Sequence, residues 1–297
     1  MGFGKNFRSM AISTAVAGVI VAAPFVRGAE PTPAQNPASS SSLRQLIFAI
    51  DGRRLPLHTL SAQMKVKLTC QNGKSNNLDA LYIGDEHGNL RLRLTGPFGI
   101  LALDLSIQNG RITCWMPLKK CAMSGIRTEI LADGTSELAI LAAIGNAGDM
   151  FFPRPWPEGA TLRRANQYGE QLVVRAFAGG ADTNCLANYL IDPARKAVIS
   201  QKIFNRSGRA LGVVEYLEFS TVAALLDPHA PPPQFDIAQL FPRRINVTDA
   251  GKRLKLELTV EKITLNSILP EKGFSLNLPA NLEVGELLVA GKEFFRK

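Results

Sequence analysis

The sequence predicts a mainly β protein of the α+β class. We expect a curled antiparallel sheet or incomplete β-barrel of about ten or eleven strands, with helices covering its concave face. Apolar and polar residues alternate in many short segments, as they do on strands that bury one face. Turn sequences separate these segments at short intervals, and helical spacing is confined to a few pieces. Short connections of this kind favour one antiparallel domain over residues 43–297.

An amphipathic helix is the first predicted element. Leucine and isoleucine recur at helical spacing over residues 43–50, and Asp51-Gly52 marks the end. From Ser61 the period changes to two, which predicts a meander of short strands. Asn109-Gly110 is a strong hairpin signal within it. The predicted strands are 61–69, 77–83, 89–95, 100–107, 111–115 and 120–123.

A second helix is predicted after this meander. Residues 138–144 are apolar on nearly every side, so they should be covered on most sides, as a plug or lid would be. Strands then resume, with Asn205 to Arg209 as a hairpin turn and a short helical piece at 221–226. The predicted strands of this half are 172–177, 186–191, 197–204, 210–219, 252–263 and 274–278.

The N-terminus has the pattern of a cleaved secretory signal over residues 1–28. Lys5 and Arg8 precede an uncharged apolar run, and small residues follow at the cleavage position. An uncleaved membrane anchor is the alternative, because the run approaches the length of a spanning helix. Residues 29–42 are rich in proline and serine and should form a disordered spacer. We therefore expect a soluble protein of the periplasm.

The chain is basic, with a net charge of +9. Cleavage after residue 28 would lower this to +6, because it removes three basic residues and no acid. A basic exported protein favours anionic partners, such as a membrane surface. Nucleic acid is not expected as a partner, since the basic residues are scattered along alternating strands without an aromatic platform. We expect a monomer.

Four cysteines are present, at a spacing that matches no zinc motif. If Pro117 and Leu118 form the centre of a two-residue turn, Cys114 falls opposite Cys121, and the two could form a cross-strand disulfide. Free buried thiols are an equally good interpretation.

Catalytic and metal-binding motifs are not found. The histidines stand alone at positions 58, 87 and 229, and no nucleophile elbow, P-loop or dinucleotide fingerprint occurs. We therefore expect no enzymatic activity, no cofactor and no metal. Asp104 could be a tuned acid in an apolar strand, although alternation favours a solvent-side position. Arg91 and Arg93 could clamp an anionic head group, although an outward face of the sheet is the better interpretation.

The order of elements resembles the LolA/LolB-like lipoprotein-carrier superfamily. Four features carry the resemblance: the leading helix, Leu60-Ser-Ala-Gln-Met at the first strand, Leu90-Arg-Leu-Arg-Leu-Thr-Gly-Pro-Phe-Gly, and the hairpin after it. Later matches are Tyr189-Leu-Ile-Asp, Val214-Glu-Tyr-Leu-Glu-Phe, Ile263-Thr-Leu-Asn and Phe274-Ser-Leu-Asn-Leu-Pro. The resemblance covers most of residues 43–285. This chain is longer than the best-known carriers and has four cysteines.

The resemblance implies an apolar concavity that accommodates the acyl chains of a lipoprotein or lipid. Such a site holds hydrocarbon by burying area, without directional groups. The expected lining residues are Leu90, Leu92, Leu94, Phe98, Leu101, Leu103, Leu105, Trp115, Leu138, Leu141, Ile144, Leu254, Leu256 and Leu258.

A second hypothesis uses the same fold without a lipid cargo. In it, the protein is a structural or interaction module of the cell envelope, its core is filled, and it binds a protein at a sheet edge or face. An apolar side packed by the protein's own side chains would favour this hypothesis.

Overall fold

The computed structural model describes eight segments of the chain. The predicted signal or anchor, most of the spacer and the predicted helix at 138–144, with Leu138, Leu141 and Ile144, lie outside them. The described residues are 37–52, 57–133, 156–157, 159–180, 184–229, 240–252, 254–269 and 273–287.

The first helix, α1, spans Pro37–Gly52. It begins six residues earlier than predicted, so residues 37–42 of the expected disordered spacer are helical. Proline is well tolerated in the first helical turn, where its missing N–H has no partner to lose. Leu43 and Ile50 are buried, seven residues apart on one face of the helix. That face joins the hydrophobic core.

Fourteen strands form a single sheet in the described residues, against the ten or eleven predicted. The pairings are antiparallel, except that β14 runs parallel to β6. The strands are β1 Thr59–Cys70, β2 Ser75–Asp85, β3 Leu90–Thr95, β4 Leu101–Gln108, β5 Arg111–Met116, β6 Cys121–Ile126, β7 Thr161–Tyr168, β8 Gln171–Phe177, β9 Cys185–Asp192, β10 Ala197–Phe204, β11 Ala210–Thr221, β12 Leu240–Asp249, β13 Leu254–Leu265 and β14 Val284–Glu286. Two more helices are α2 Arg127–Asp133 and α3 Val222–Leu225.

The sheet consists of two meanders joined side by side. Strands β1 to β6 are neighbours in sequence order, and so are β7 to β13. The join is the long pairing of β1 with β13, from Leu60 opposite Leu265 to Cys70 opposite Leu254. The outermost strands are β14 and β7, so the sheet is large, curled and open.

Two turns confirm predictions from the sequence. Asn109 and Gly110 both have positive φ, 50° and 74°, as a type I′ hairpin requires. The amide of Asn205 donates to the carbonyl oxygen of Arg209 at 2.9 Å, which closes the predicted turn between β10 and β11.

The prediction of a strand at 274–278 is wrong, since these residues have no strand structure. The carbonyl oxygen of Phe274 instead accepts a hydrogen bond from the Ser106 hydroxyl, at 2.5 Å. Residues 273–287 therefore form a C-terminal strap, which begins on β4 and ends with β14 beside β6.

Candidate functional site

One face of the sheet is apolar across both meanders, and we call it the apolar face. Residues opposite one another in neighbouring strands share a face. Leu92 of β3 lies opposite Leu105 of β4 on one side and Tyr82 of β2 on the other. The same face continues through the join, where Val66 of β1 lies opposite Leu258 of β13.

The apolar face extends to β8 by the same reasoning. Val214 of β11 lies opposite Val247 of β12 and Gln201 of β10. Gln201 in turn lies opposite Tyr189, and Tyr189 opposite Val174. Apart from Gln201, these residues belong to one hydrophobic cluster that includes both meanders.

Most of the predicted lining leucines lie on this face. Apart from Leu101, those of β3, β4 and β13 are either buried within the cluster or half-buried against it. The buried ones are no more than 6% exposed. The buried leucines are Leu90, Leu92, Leu94, Leu105, Leu256 and Leu258, and the half-buried ones are Leu103 and Leu254.

Three predicted lining residues lie elsewhere. Phe98 is fully exposed in the turn between β3 and β4, with a positive φ of 62°. Trp115 lies opposite Asp104, so it belongs to the other face of the sheet. Leu101 lies beyond a register shift, opposite Thr95, and is not part of the cluster. The shift disturbs the simple alternation on which the prediction for Leu101 depended.

Groups outside the sheet pack on the apolar face. Leu43 and Ile50 of α1 and Ile130 of α2 belong to the same buried cluster. Trp156 packs against it, with its ring edge-on to Tyr189 at a centroid distance of 4.9 Å. The Trp156 indole N–H donates to Oδ1 of Asp51, at 3.2 Å, and so connects the end of α1 to the sheet.

Gln201 is a buried polar residue within the apolar face. It is 2% exposed, and its amide nitrogen donates to the Tyr189 hydroxyl at 3.2 Å. Among the described residues, its amide oxygen has no hydrogen-bond partner. A buried acceptor without a partner is costly, so this oxygen would favour a donor brought by a ligand.

The other side of the sheet, the polar face, carries an unexpected buried charge. Asp104 is 1% exposed, so the solvent-side position predicted for it is wrong. Arg91 donates to its carboxylate from Nε at 2.9 Å and from Nη2 at 2.7 Å. Arg93 lies farther away, with Nε 3.6 Å from Oδ2, and is more exposed. The hydrogen bond to Asp104 raises the pKa of Arg91.

The C-terminal strap explains this burial. Arg91 Nη1 donates to the carbonyl oxygen of Gly273 at 3.4 Å, and Ser106 donates to that of Phe274. Chain from beyond residue 270 therefore covers this part of the polar face. Because Arg91 is paired with Asp104, it is not the free anion clamp considered from the sequence.

A groove of about 730 Å³ lies on the polar face. Four of its charged residues are paired with one another, Lys65 with Asp79 and Lys67 with Glu257 at 3.9 Å, and the lining Arg244 is paired with Glu218 at 2.8 Å. Lys255 also donates to Glu257, at 2.6 Å, and this bond lowers the pKa of the Glu257 carboxyl. A groove lined by paired charges does not suit an acyl chain.

Comparison with solved structures shows the same fold elsewhere. A LolA superfamily protein from Nitrosomonas europaea has a TM-score of 0.52 at 12% identity, covering 79% of this chain and 97% of that one. A domain from Vibrio parahaemolyticus described as an outer membrane lipoprotein-sorting protein has a TM-score of 0.50 at 10% identity. That match covers 78% of this chain and 95% of the Vibrio domain. A DUF1329 family protein from Desulfovibrio piger has a TM-score of 0.53 at 8% identity. That match covers 80% of this chain and 98% of the Desulfovibrio protein.

The chain has a LolA-like fold. No family model matches the sequence, and no curated protein matches it. The likeness therefore concerns the fold.

The cysteines of this LolA-like chain are free thiols, and the two-residue turn on which a Cys114–Cys121 disulfide depended is not formed. A 3-10 turn at Pro117–Lys119 is followed by Lys120 in the left-handed conformation, so Met116 lies opposite Cys121, and Cys114 opposite Met123. The two cysteines are diagonal neighbours. Diagonal Cα atoms are about 7–8 Å apart, beyond the usual reach of a disulfide.

The remaining chemistry of the described residues is sparse. His58 is exposed and its Nδ1 lies 2.8 Å from Glu86, while the backbone amides of His87 and His229 are held in turns by nearby aspartates. Within the described segments, no three His, Cys, Asp or Glu residues are grouped as metal ligands. No helix in these segments is long and apolar enough to span a membrane.

Sequence reasoning missed the half of the apolar face that β8 to β12 provide. Tyr189, Val214 and Tyr216 are as buried as the leucines of β3. Alternation in 186–191 and 210–219 predicts these strands, but it does not say that β13 pairs with β1 and so unites the two halves. Only the register shows that one face continues across both.

Proposed function

We propose that this protein is an exported, non-enzymatic carrier or chaperone that binds acyl chains of a lipidated protein or lipid. The apolar face would be the site, the periplasm the compartment, and outer-membrane lipoprotein sorting the process. The observation that carries the proposal is the continuity of the apolar face across the join between β1 and β13. The LolA-like fold supports it, since one similar structure is described as a lipoprotein-sorting domain.

Hydrocarbon is the ligand that such a face favours. Burial contributes about 25 cal/mol per Å², or about 0.8 kcal/mol per methylene, without directional contacts. Leucine, isoleucine and valine dominate the face, with Met64 as an adaptable residue at its centre. An acyl chain that replaces groups packed on this face would gain energy from burial of its own methylenes.

Binding requires a change in what covers the face. The leucines of β3 and β13 are almost fully buried, so an acyl chain must replace groups that pack on them. Helix α1 is one such group, held at its end by the bond from Trp156 to Asp51. We infer that α1 moves relative to the sheet when the acyl chain enters.

Gln201 would provide a polar anchor within the site. Its amide oxygen, which has no partner in the described segments, could accept a hydrogen bond from an amide N–H or acid O–H at the head of an acyl chain. Sites for apolar ligands commonly combine an apolar lining with a few polar groups that orient the ligand.

Binding of a fluorescent fatty-acyl probe tests the proposal. We expect saturable binding that unlabelled fatty acid displaces, and acyl adducts in native mass spectra of protein purified from its own envelope. A head-group analogue without the chain serves as the control and should not displace the probe. Absence of both probe binding and adducts would contradict the carrier function.

A filled core favours the second candidate function. The apolar face is buried nearly completely in this structure, with Leu105 and Val214 at 0% exposure. An envelope interaction module would keep that packing and bind its partner at an edge or on the polar face. Capture of a protein partner by a chain that binds no acyl probe would favour this function.

A further inference from the structure

Four sulfur-containing residues lie on neighbouring strands at the end of the β5–β6 hairpin. The sequence repeats Cys-X-Met twice, as Cys114-Trp-Met116 and Cys121-Ala-Met123. The two copies lie on neighbouring antiparallel strands, so the hairpin brings them together. We call these four residues the sulfur block.

The register places all four side chains on the same face. Cys114 lies opposite Met123, and Met116 lies opposite Cys121. Residues two apart on a strand share a face, and so do residues directly opposite. Opposite Cβ atoms are about 4.5–5.5 Å apart, a gap that a methionine with its rotatable thioether arm can close.

The sulfur block is closed on one side and open on the other. Cys114 and Met123 are buried, at 1% and 3% exposure, whereas Met116 and Cys121 are half-buried beside the 3-10 turn. Lys119 of that turn lies close to the Cys121 side chain and interacts with it electrostatically. An ion could therefore enter from the turn and reach the buried pair.

We propose that the sulfur block binds a soft monovalent metal ion, Cu(I), through the thiolates of Cys114 and Cys121 and the thioethers of Met116 and Met123. Thiolate and thioether together are the donors that select Cu(I), whereas zinc sites in proteins use thiolate, imidazole and carboxylate. The inference does not depend on the proposed lipid function.

Binding releases two protons and transfers no electrons. Each thiol loses its proton to solvent as a copper–sulfur bond forms, and the thioethers add lone pairs without losing a proton. Two thiolates and one Cu(I) leave a net charge of −1, next to the cationic Lys119. The metal must arrive already reduced, on a donor or chelator that supplies Cu(I).

A disulfide is the competing chemistry of the same cysteines. Their diagonal positions disfavour it, because the register directs each cysteine toward a methionine. Each thiol therefore has a thioether, and not the other thiol, as its opposite neighbour.

Anaerobic titration of the reduced protein against a chromophoric Cu(I) chelator tests the proposal. We expect one equivalent of Cu(I) to be taken from the chelator. The Cys114→Ala/Cys121→Ala variant should lose this binding, and Cys70→Ala/Cys185→Ala, with the same number of thiols removed, should keep it. Met116→Leu/Met123→Leu preserves side-chain volume and should weaken binding by about tenfold or more.

Methionine methyl NMR gives a second measurement on the unmutated protein. The signals of Met116 and Met123 should shift with one equivalent of Cu(I). The signal of Met64, buried on β1 of the same face, should remain in place. The proposal would be overturned if the two double-cysteine variants bound Cu(I) equally or if the protein preferred Zn²⁺ to Cu(I). Unshifted signals of Met116 and Met123, or a Cys114–Cys121 disulfide in protein from its own envelope, would also overturn it.

Discussion

Arg91 and Asp104 form a two-point hydrogen-bonded ion pair across β3 and β4, at 2.9 and 2.7 Å, in a part of the polar face that the C-terminal strap covers. The carboxylate is almost fully buried, and Arg93 provides a weaker contact at 3.6 Å. Breaking one partner of a buried pair leaves the other charge without compensation. The two arginines should therefore differ in their effect on stability.

Arg91→Met should lower the free energy of unfolding by about 3 kcal/mol, because Asp104 remains buried with only Arg93 nearby. Arg93→Met is the matched control and should cost no more than about 1 kcal/mol, since the Arg93 side chain is 45% exposed, against 16% for Arg91. Urea denaturation measures both. Equal losses for the two variants would contradict the assignment of Arg91 as the main partner.

Gly125→Ala should loosen the strap. A Cβ at this position would lie 3.0 Å from Cβ of Leu287 and 3.2 Å from Cδ1 of Ile130. Overpacking of this kind costs about 1–3 kcal/mol, and Leu287 directly follows β14. Hydrogen exchange should show faster exchange at residues 284–286. Gly52→Ala, where a Cβ meets nothing within 4 Å, should leave that exchange unchanged.

Phe98→Gly should stabilise the protein. Phe98 is fully exposed and has a φ of 62°, a conformation that costs a residue with a Cβ about 1–2 kcal/mol. Glycine removes that cost, although its greater freedom in the unfolded chain offsets about half of the gain. Phe98→Ala removes the same ring but keeps the Cβ. In thermal unfolding, Phe98→Gly should unfold at a higher temperature than both the unmutated protein and Phe98→Ala. If Phe98→Ala were as stable as Phe98→Gly, backbone strain would not be the cause.

Stability should fall as pH rises above 9, in part because of Cys114. Burial, and then the nearby Cys121 and Asp104, raise the pKa of its thiol from 9.0 to about 12. Between these values the unfolded state loses this proton and the folded state keeps it, so the thiol contributes a loss of up to about 1.4 kcal/mol per pH unit. Cys114→Ala should show a shallower decline in urea denaturation between pH 9 and 11. If the free energy of unfolding fell equally with pH in the unmutated protein and in Cys114→Ala, the raised pKa of Cys114 would be contradicted.

Alternation predicts local faces well. Leu90, Leu92 and Leu94 are buried together as the period of two requires. The pattern fails where a distant segment intervenes: Asp104 alternates correctly to the polar face, but the strap that buries it comes from about 170 residues later. No local spacing indicates that covering.

Three strands were missed because their sequences depart from the pattern. β12 contains Pro242-Arg-Arg244, and β7 contains Arg163-Arg164 at the edge of the sheet, where side chains are largely exposed. β14 has only three residues. Turn geometry likewise decided the register of the sulfur block. Four residues instead of two connect β5 to β6, and the two extra residues changed which side chains face each other.

Quenching of tryptophan fluorescence by brominated acyl chains tests the carrier function most directly. The chain has two tryptophans, Trp156 packed on the apolar face and Trp115 on the polar face. Trp115→Phe leaves Trp156 as the reporter, and Trp156→Phe leaves Trp115. If acyl chains bind the apolar face, they should quench the Trp115→Phe variant saturably and the Trp156→Phe variant far less. Quenching of neither variant, or equal quenching of both, would contradict an acyl site on the apolar face.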